Sequence, residues 1–361
     1  MSLFSLAIVA LTLLAMPPDA DAETRRLYLV GNSLTDTIAY AQFERMAEQR
    51  GGDLIWGRHM IPGAPLDWTW EHGQPRERDG EALAASGFHD DQQADGPSGG
   101  FSRALSSHGW DALSLQPFDR HVHSDFDHVA RYVNLLKLSP DNVGEDGRVT
   151  TQVYLYAHWV PRPSDDSTPA EDDFLPLDFR ALWDRPYTGA WDKTTFTRDY
   201  FARLLAAVND PQSEGTVDPG AANDHVLSLP DRVALGDGRT LTIEHPATLL
   251  ASPVRLLPIG DVLYELEARL AADPESEATY GIDSVEGLYA DGVHFNAIGR
   301  LLVGTVVYAT IVGQSPAGLD PSPYAADGDF DEELVALIQS TAWDVVAGHP
   351  HSGVPAQARQ P

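Results

Sequence analysis

Two short polar segments, one near each end of the chain, carry residue types that together could perform nucleophilic catalysis. Ser33 follows an apolar stretch in "LYLVGNSLTD", where a turn would lead from a strand into a helix. Asp291 lies three residues before His294 in "ADGVHFN", just ahead of an apolar helix. A serine hydroxyl attacks a carbonyl only when a base takes its proton, and an imidazole oriented by a carboxylate is such a base. These three residues are therefore candidates for acyl transfer.

Each segment alone also has a purely structural explanation. A serine at the start of a helix commonly caps that helix through its side-chain oxygen. An aspartate three residues before a histidine can be a loop carboxylate with a local partner. The chemistry is favoured only if the fold brings Ser33 and His294 together.

The alternation of apolar strands and longer helical segments indicates how the two ends could meet. The predicted strands are 27–31, 54–61, 112–116, 152–158 and 254–259. The predicted helices are 36–49, 126–138, 196–208, 261–272, 297–313 and 332–346. This pattern predicts a parallel sheet with right-handed crossovers, within an α/β fold of the three-layer α/β/α sandwich type. Ser33 would then lie at the carboxyl edge of the sheet, where such folds carry their functional loops.

The chain divides into a leader, one domain and a short tail. Residues 1–22 contain an apolar run followed by Ala20-Asp21-Ala22, which predicts a cleaved signal peptide and a secreted or periplasmic protein. A retained membrane anchor is the alternative, although the run is short for a span. Residues 23–350 are expected to form a single domain, with insertions near 67–100, 161–192 and 210–248 and a disordered tail at 351–361. "RVALGDGRTLTI" in the third insertion predicts a hairpin.

The composition argues against several classes of partner. The chain has 54 acidic and 24 basic residues, a formal net charge of −30, and no cysteine. Such a surface repels phosphate backbones, so nucleic-acid binding is not expected. The absence of cysteine excludes disulfides, thiol nucleophiles and zinc-thiolate sites. After removal of residues 1–22, no membrane span is expected.

Together the two motifs resemble the SGNH (GDSL-type) hydrolase family, whose members carry a GDSL-like block after the first strand and a DxxH block before the last helix. Here the blocks read "GNSLTD" and "DGVH", and the resemblance extends over most of residues 26–315. It implies a flavodoxin-like sheet and a serine ester hydrolase without a metal or other cofactor. Ser33 would be the nucleophile, His294 the base and Asp291 its orienting acid. Asn32 stands where the family usually has aspartate, and we also count it as a candidate substrate-binding residue.

The same resemblance implies an oxyanion hole formed by the serine N–H, a glycine after the second strand and an asparagine after the third. Gly63 in "MIPGAPLDW" matches the glycine, although an ordinary Pro-Gly turn would look the same. No asparagine follows the third strand, so we predict that Gln116 supplies the side-chain donor. A buried strand-end glutamine with no such role is the alternative.

The expected substrate is an ester of a small molecule, an oligosaccharide or a polysaccharide. Aromatic and polar residues in loops at the active edge could bind a sugar ring, and the candidates are Trp68, Trp70, His72 and Trp159. We therefore expect release of O-acetyl groups from carbohydrate. A general short-chain or lipase-like esterase is one alternative, and an inactive carbohydrate-binding scaffold is another. The histidines of "HVHSDFDH" have no familiar metal-binding spacing and favour a polar loop before a helix.

Overall fold

Five parallel strands form the centre of a six-stranded sheet in the computed structural model, which describes residues 24–72, 88–90, 101–164, 174–218, 225–236, 238–325 and 330–355. The strands of this sheet are β1 (Arg25–Gly31), β2 (Leu54–Met60), β3 (Phe88–Asp90), β4 (Ala112–Leu115), β5 (Gln152–Tyr156) and β8 (Arg255–Leu257). Their spatial order is β3-β2-β1-β4-β5-β8, and only β3 is antiparallel to its neighbour. Without β3 this is the flavodoxin-like order. The predicted α/β class and all five predicted strands are confirmed.

Helices cover both faces of the sheet. They are α1 (Tyr40–Glu48), α2 (Leu66–His72), α3 (Phe101–Ser107), α4 (Val122–Leu136), α5 (Phe179–Trp183), α6 (Arg198–Asn209), α7 (Pro246–Leu249), α8 (Ile259–Ala272), α9 (Ser276–Tyr280), α10 (Ala297–Ile311) and α11 (Glu332–Gly348). One group contains α8, α10 and α11, and another contains α2, α3, α4, α6 and α7. Helix α10 is buried around most of its circumference because it packs between the sheet and α11, which explains its nearly continuous apolar sequence.

The helix expected at 36–49 is interrupted. A short 3-10 helix at Thr35–Ile38 comes first, Ala39 then adopts a left-handed conformation with φ of 54°, and α1 follows. The interruption has a tertiary cause, since Thr35 is hydrogen-bonded to Gln116 and Asp36 forms an ion pair with Arg58 of β2. Those contacts hold the first turn in a tight geometry that the apolar periodicity does not reveal.

The insertions contain regular elements that the sequence pattern only partly indicates. The expected hairpin is present as β6 (Arg232–Ala234) paired antiparallel with β7 (Thr240–Thr242). Strand β3 lies within the insertion near 67–100 and was not expected. Residues 351–355 are not a disordered tail, because Ser352 is buried and the Leu256 N–H of β8 donates to the His351 carbonyl at 2.9 Å.

Two other expectations concern segments that the structure describes in part or not at all. The signal peptide expected at 1–22 lies outside the described residues. Within the described ranges, no helix combines the length and apolarity needed to cross a bilayer.

Candidate active site

Ser33 lies in the tight turn that leaves the carboxyl end of β1. The turn is held from two sides, because the Tyr156 hydroxyl of β5 donates to the Leu34 carbonyl at 2.9 Å and Asn32 bonds to the turn after β2. Ser33 itself is only partly buried. Its hydroxyl is therefore available at the edge of the sheet while the backbone beneath it is fixed.

The loop before α10 brings His294 to this serine across 261 positions of sequence. His294 Nε2 lies 2.9 Å from Ser33 Oγ, and His294 Nδ1 lies 2.8 Å from Asp291 Oδ2. The other carboxylate oxygen of Asp291 accepts the backbone N–H groups of Val293 and His294, both at 2.7 Å. Three residues singled out from the sequence thus form one continuous hydrogen-bonded chain.

The electrostatics of Asp291 fix its charge and, through it, the orientation of the imidazole. Partial burial tends to raise the pKa of Asp291, but hydrogen bonds from the backbone of His294 and Val293 and from the imidazole outweigh it and lower that pKa. Asp291 therefore remains a carboxylate, and it accepts a hydrogen bond from the N–H at His294 Nδ1. The lone pair of Nε2 is then directed at the Ser33 hydroxyl, the orientation that a general base needs.

Gly63 occupies a turn beside Ser33. Residues 61–64 form a turn closed by the Ala64 N–H on the Ile61 carbonyl at 3.1 Å, and Gly63 has a φ of +68°, which a residue with a Cβ adopts at a cost. The Asn32 side chain donates to Ala64 O at 3.1 Å and ties this turn to the serine turn. Among the described residues, the N–H groups of Ser33 and Gly63 donate no hydrogen bond. Both are available to an incoming oxygen.

Gln116 does not face the substrate side, which corrects the oxyanion role expected from the sequence. Its side chain is fully buried at the end of β4. Its carbonyl oxygen accepts the N–H of Asn32 and the N–H and hydroxyl of Thr35, and its amide nitrogen donates to Asn32 Oδ1 at 2.9 Å. Gln116 therefore braces the serine turn from below.

Asn32 also braces the turn, and its burial corrects the substrate-binding role expected from the sequence. Its side chain is only 1% exposed. Its oxygen accepts from Leu34 N–H at 3.0 Å and from Gln116, while its amide group donates to Ala64 O. A carboxylate could reproduce the two accepted bonds but not the donated one, which gives a physical reason for asparagine at this position.

The four aromatic candidates for substrate binding differ in their exposure to solvent. Trp70 is buried against Tyr132, and Trp159 is fully buried with its ring stacked on Phe295 at 4.0 Å, so neither can receive a sugar. Trp68 on α2 is 49% exposed, so its ring is accessible to a sugar. His72 ends α2, and its side chain lies outside the described part of the structure. The sequence could not separate these tryptophans because each is adjacent to a predicted loop.

Two residues that hold the site and one exposed aromatic residue were missed. Thr35 and Tyr156 hold the serine turn, and Trp191, 83% exposed, stands at 6.1 Å from the ring of His121 in the loop after β4. No local spacing could have revealed the first two, since their partners lie 81 and 122 positions away. Trp191 lies in an insertion for which the sequence predicts no fold.

Two histidines of "HVHSDFDH", His121 and His123, stack with His225, while His128 Nδ1 lies 2.8 Å from the Ser124 carbonyl. The His123 ring lies 4.4 Å from that of His225, nearly parallel, and 5.6 Å from that of His121, while its Nδ1 binds Asp218 at 3.0 Å. Parallel rings direct their nitrogen lone pairs into separate planes and so do not converge on one ion. In the part of the chain that the structure describes, no group of three or more histidine or acidic residues is placed to hold a metal ion.

The comparisons with known proteins bear on the fold. No family model matches the chain, and no curated protein matches it in sequence. Among solved structures, the chain is similar to a DUF4886 family protein from Bacteroides uniformis, with 12% identity, a TM-score of 0.51, and 93% of this chain and 99% of that chain covered. It is also similar to "a putative SGNH hydrolase" from Slackia heliotrinireducens, with 17% identity, a TM-score of 0.35, and coverages of 79% and 97%. At 12% identity the first likeness shows the fold alone, and no conclusion is drawn from the second, whose TM-score is lower.

Proposed function

We propose that this chain is a serine ester hydrolase in which Ser33 is the nucleophile, His294 the general base and Asp291 its orienting acid. The observation that supports this most directly is the chain of hydrogen bonds from Ser33 Oγ through His294 to Asp291, at 2.9 and 2.8 Å. A helix-capping serine would direct its oxygen at its own helix. This one contacts an imidazole from the other end of the sequence.

The reaction follows from the positions of these atoms. His294 Nε2 takes the hydroxyl proton as Ser33 Oγ attacks the ester carbonyl carbon. The negative charge on the carbonyl oxygen is stabilised by the N–H groups of Ser33 and Gly63, which have no other partner among the described residues. Collapse of the tetrahedral intermediate expels the alcohol, which receives the proton from His294. Water then attacks the acyl enzyme by the same route, and the serine is regenerated.

The substrate class is best described as short-chain acyl esters. With Trp70 and Trp159 buried, part of the expected sugar-binding surface is lost. A specific observation still favours carbohydrate O-acetyl esters as the narrower candidate. Trp68 and Trp191 are both exposed, and a series of contacts connects them. Arg120 binds Asp67, which precedes Trp68, at 3.1 Å, and His121, which follows Arg120, packs against Trp191. Exposed indole faces suit the C–H face of a sugar.

Export of the protein remains part of the proposal. It rests on the apolar run and the small-x-small site within residues 1–22. Identifying the first residue of the mature protein purified from culture medium or periplasm would test it. A mature protein that begins at Met1 in the membrane fraction would favour the retained anchor.

Purified protein assayed on p-nitrophenyl acetate, butyrate and octanoate tests the function. We expect acetate to be hydrolysed fastest, with activity unaffected by EDTA, and Ser33→Ala to lower kcat by ~10⁴-fold or more. Ser340→Ala, which changes an exposed helix serine, is the matched control and should keep full activity. A Ser33→Ala variant with a tenth of wild-type activity would contradict the mechanism. A wild-type protein inactive on all three esters would favour a binding scaffold.

A second arm of the same experiment concerns the alcohol. Trp68→Ala should lower kcat/KM on an acetylated oligosaccharide while leaving p-nitrophenyl acetate hydrolysis unchanged. Equal effects on both substrates, or faster hydrolysis of octanoate than acetate, would leave the general esterase and remove the carbohydrate ester.

A further inference from the structure

The segment that follows β5 contacts both neighbours of His294. The indole N–H of Trp159 donates to the Val293 carbonyl at 2.8 Å, one residue before the histidine. The Trp159 ring stacks on Phe295, one residue after it, with the ring centroids 4.0 Å apart and the planes 14° from parallel. Trp159 is fully buried. A single rigid side chain thus restrains the loop on either side of the imidazole.

Adjacent residues extend this contact along the loop. The Val160 carbonyl accepts the Tyr289 hydroxyl at 2.7 Å, and the Arg162 N–H donates to the Gly292 carbonyl at 2.8 Å. The loop from 289 to 295 is therefore bound to the segment 159–162 by three hydrogen bonds and one ring stack. Among the described residues no strand pairs with this loop, whose one β-bridge joins Tyr289 and Phe295 within it, so these contacts supply its attachment to the segment after β5.

The loop needs such an attachment because its own hydrogen bonds are local. Asp291 and His294 have side chains that are 54% and 43% exposed, and the bonds between them fix the shape of the loop. Those bonds do not fix how far the loop stands from Ser33, which belongs to the turn after β1.

The end of β5 is connected to both halves of the site. Tyr156 donates its hydroxyl to the Leu34 carbonyl beside Ser33, and Trp159, three residues later, holds the carbonyl and the ring beside His294. The distance between Ser33 Oγ and His294 Nε2 is therefore set through one short stretch of chain.

We propose that Trp159 is a positioning residue that holds His294 Nε2 at hydrogen-bond distance from Ser33 Oγ through its contacts with Val293 and Phe295. It touches neither substrate nor the reacting atoms. This inference rests on the proposed function, in which the Ser33 to His294 contact carries the chemistry. A displacement of catalytic groups by about 1 Å can cost ~10²-fold in rate, so a residue that fixes this distance is expected to act on kcat.

The test replaces Trp159 by phenylalanine, which retains an aromatic ring against Phe295 and loses the N–H. Trp110→Phe is the matched control. The Trp110 indole is also buried and also donates to a main-chain carbonyl, that of Ala104 at 3.1 Å. Trp110 precedes β4, however, and so lies at the amino ends of the parallel strands, away from the carboxyl ends that carry Ser33. Both variants lose one indole hydrogen bond and the same side-chain volume, so we expect similar decreases in Tm.

Only Trp159→Phe should lower kcat, by roughly 10- to 100-fold with KM changed by less than about twofold. Equal kcat in the two variants at equal Tm overturns the proposal. Wild-type hydrolysis that Ser33→Ala abolishes establishes the proposed function separately, so the two failures are distinguishable.

A second readout does not require turnover. The proton on His294 Nδ1 that bonds to Asp291 should give a far-downfield NMR resonance in wild type and in Trp110→Phe. In Trp159→Phe that resonance should be broadened or absent, because the loop is released. Its unchanged presence in Trp159→Phe would also overturn the proposal, whether or not the protein is an active enzyme.

Discussion

Changing Asn32 to aspartate introduces the residue that is usual in the family that the two sequence motifs resemble, yet the structure predicts that this change is damaging. The Asn32 amide donates to the Ala64 carbonyl at 3.1 Å in a site that is almost fully buried. An ionised aspartate would place a carboxylate oxygen against that carbonyl oxygen with no proton between them. The bonds from Leu34 N–H and Gln116 to the other oxygen would remain.

The cost can be worked from these contacts. One donated hydrogen bond is lost and a buried charge gains an unsatisfied oxygen, which together destabilise by about 2–4 kcal/mol when the carboxylate is ionised. A protonated aspartic acid could donate to Ala64 O and recover most of this. The folded protein therefore binds that proton more tightly than the unfolded chain, and the stability of the variant relative to wild type falls as pH rises.

Urea denaturation followed by tryptophan fluorescence at pH 4.5 and pH 8 measures this difference. We expect Asn32→Asp to be close to wild type at pH 4.5 and about 2–4 kcal/mol less stable at pH 8. At pH 8 its kcat on p-nitrophenyl acetate should also fall, by about 10²-fold, since the side-chain bond between the turns carrying Ser33 and Gly63 is lost.

Asn142→Asp is the matched control for this experiment. Asn142 is a buried asparagine whose amide donates to the main-chain carbonyls of Leu105, His108 and Leu136, remote from Ser33. It should lose stability in the same way while the folded protein keeps its kcat. If the Asn32→Asp variant were as stable and as active as wild type at pH 8, the bracing role of the Asn32 side chain would be refuted.

Two further predictions test the electrostatics. Burial raises the pKa of Asp125, whose carboxyl group accepts a hydrogen bond from the Tyr200 hydroxyl, to about 8, so at pH 7 the folded state holds a proton that the unfolded state has released. Wild type should therefore lose about 1.4 kcal/mol of stability between pH 7 and pH 9 from this group, a loss that Asp125→Asn should not show in parallel urea titrations. Asp291→Asn should lower kcat by ~10⁴-fold with little change in KM, because the imidazole then favours the wrong tautomer. Retention of more than a hundredth of wild-type kcat would show that Asp291 does not orient His294.

The sheet was predictable because its signal is local. Strands β1, β4 and β5 are buried on both faces and read as short, mainly apolar runs, as in "LYLVG", and the intervening helices show their own period. The positions of Ser33, Asp291 and His294 could be picked out for a related reason. A nucleophile after a strand and an acid three residues before a histidine are short patterns, and their meeting follows once the strand order places both loops at one edge.

Other features depended on partners far away in sequence. Gln116 at the end of β4 could have faced substrate or the serine turn, and its pairing with Asn32, 84 positions earlier, decided for the turn. Trp159 could have been exposed in the loop after β5, but it is buried against the loop of His294, where it donates to the Val293 carbonyl 134 positions later.

The physical reason is the same in both cases. Apolar burial is driven by area removed from water, and a short stretch of sequence already states how much apolar area it contributes. A polar or aromatic side chain at a strand end is directed by individual hydrogen bonds and ring contacts, which require a specific partner at a specific distance. The amino-acid sequence therefore determined which residues form the layers and which could do chemistry, and only the tertiary structure decided which of the remaining side chains are exposed and which hold the turns of Ser33 and His294 in place.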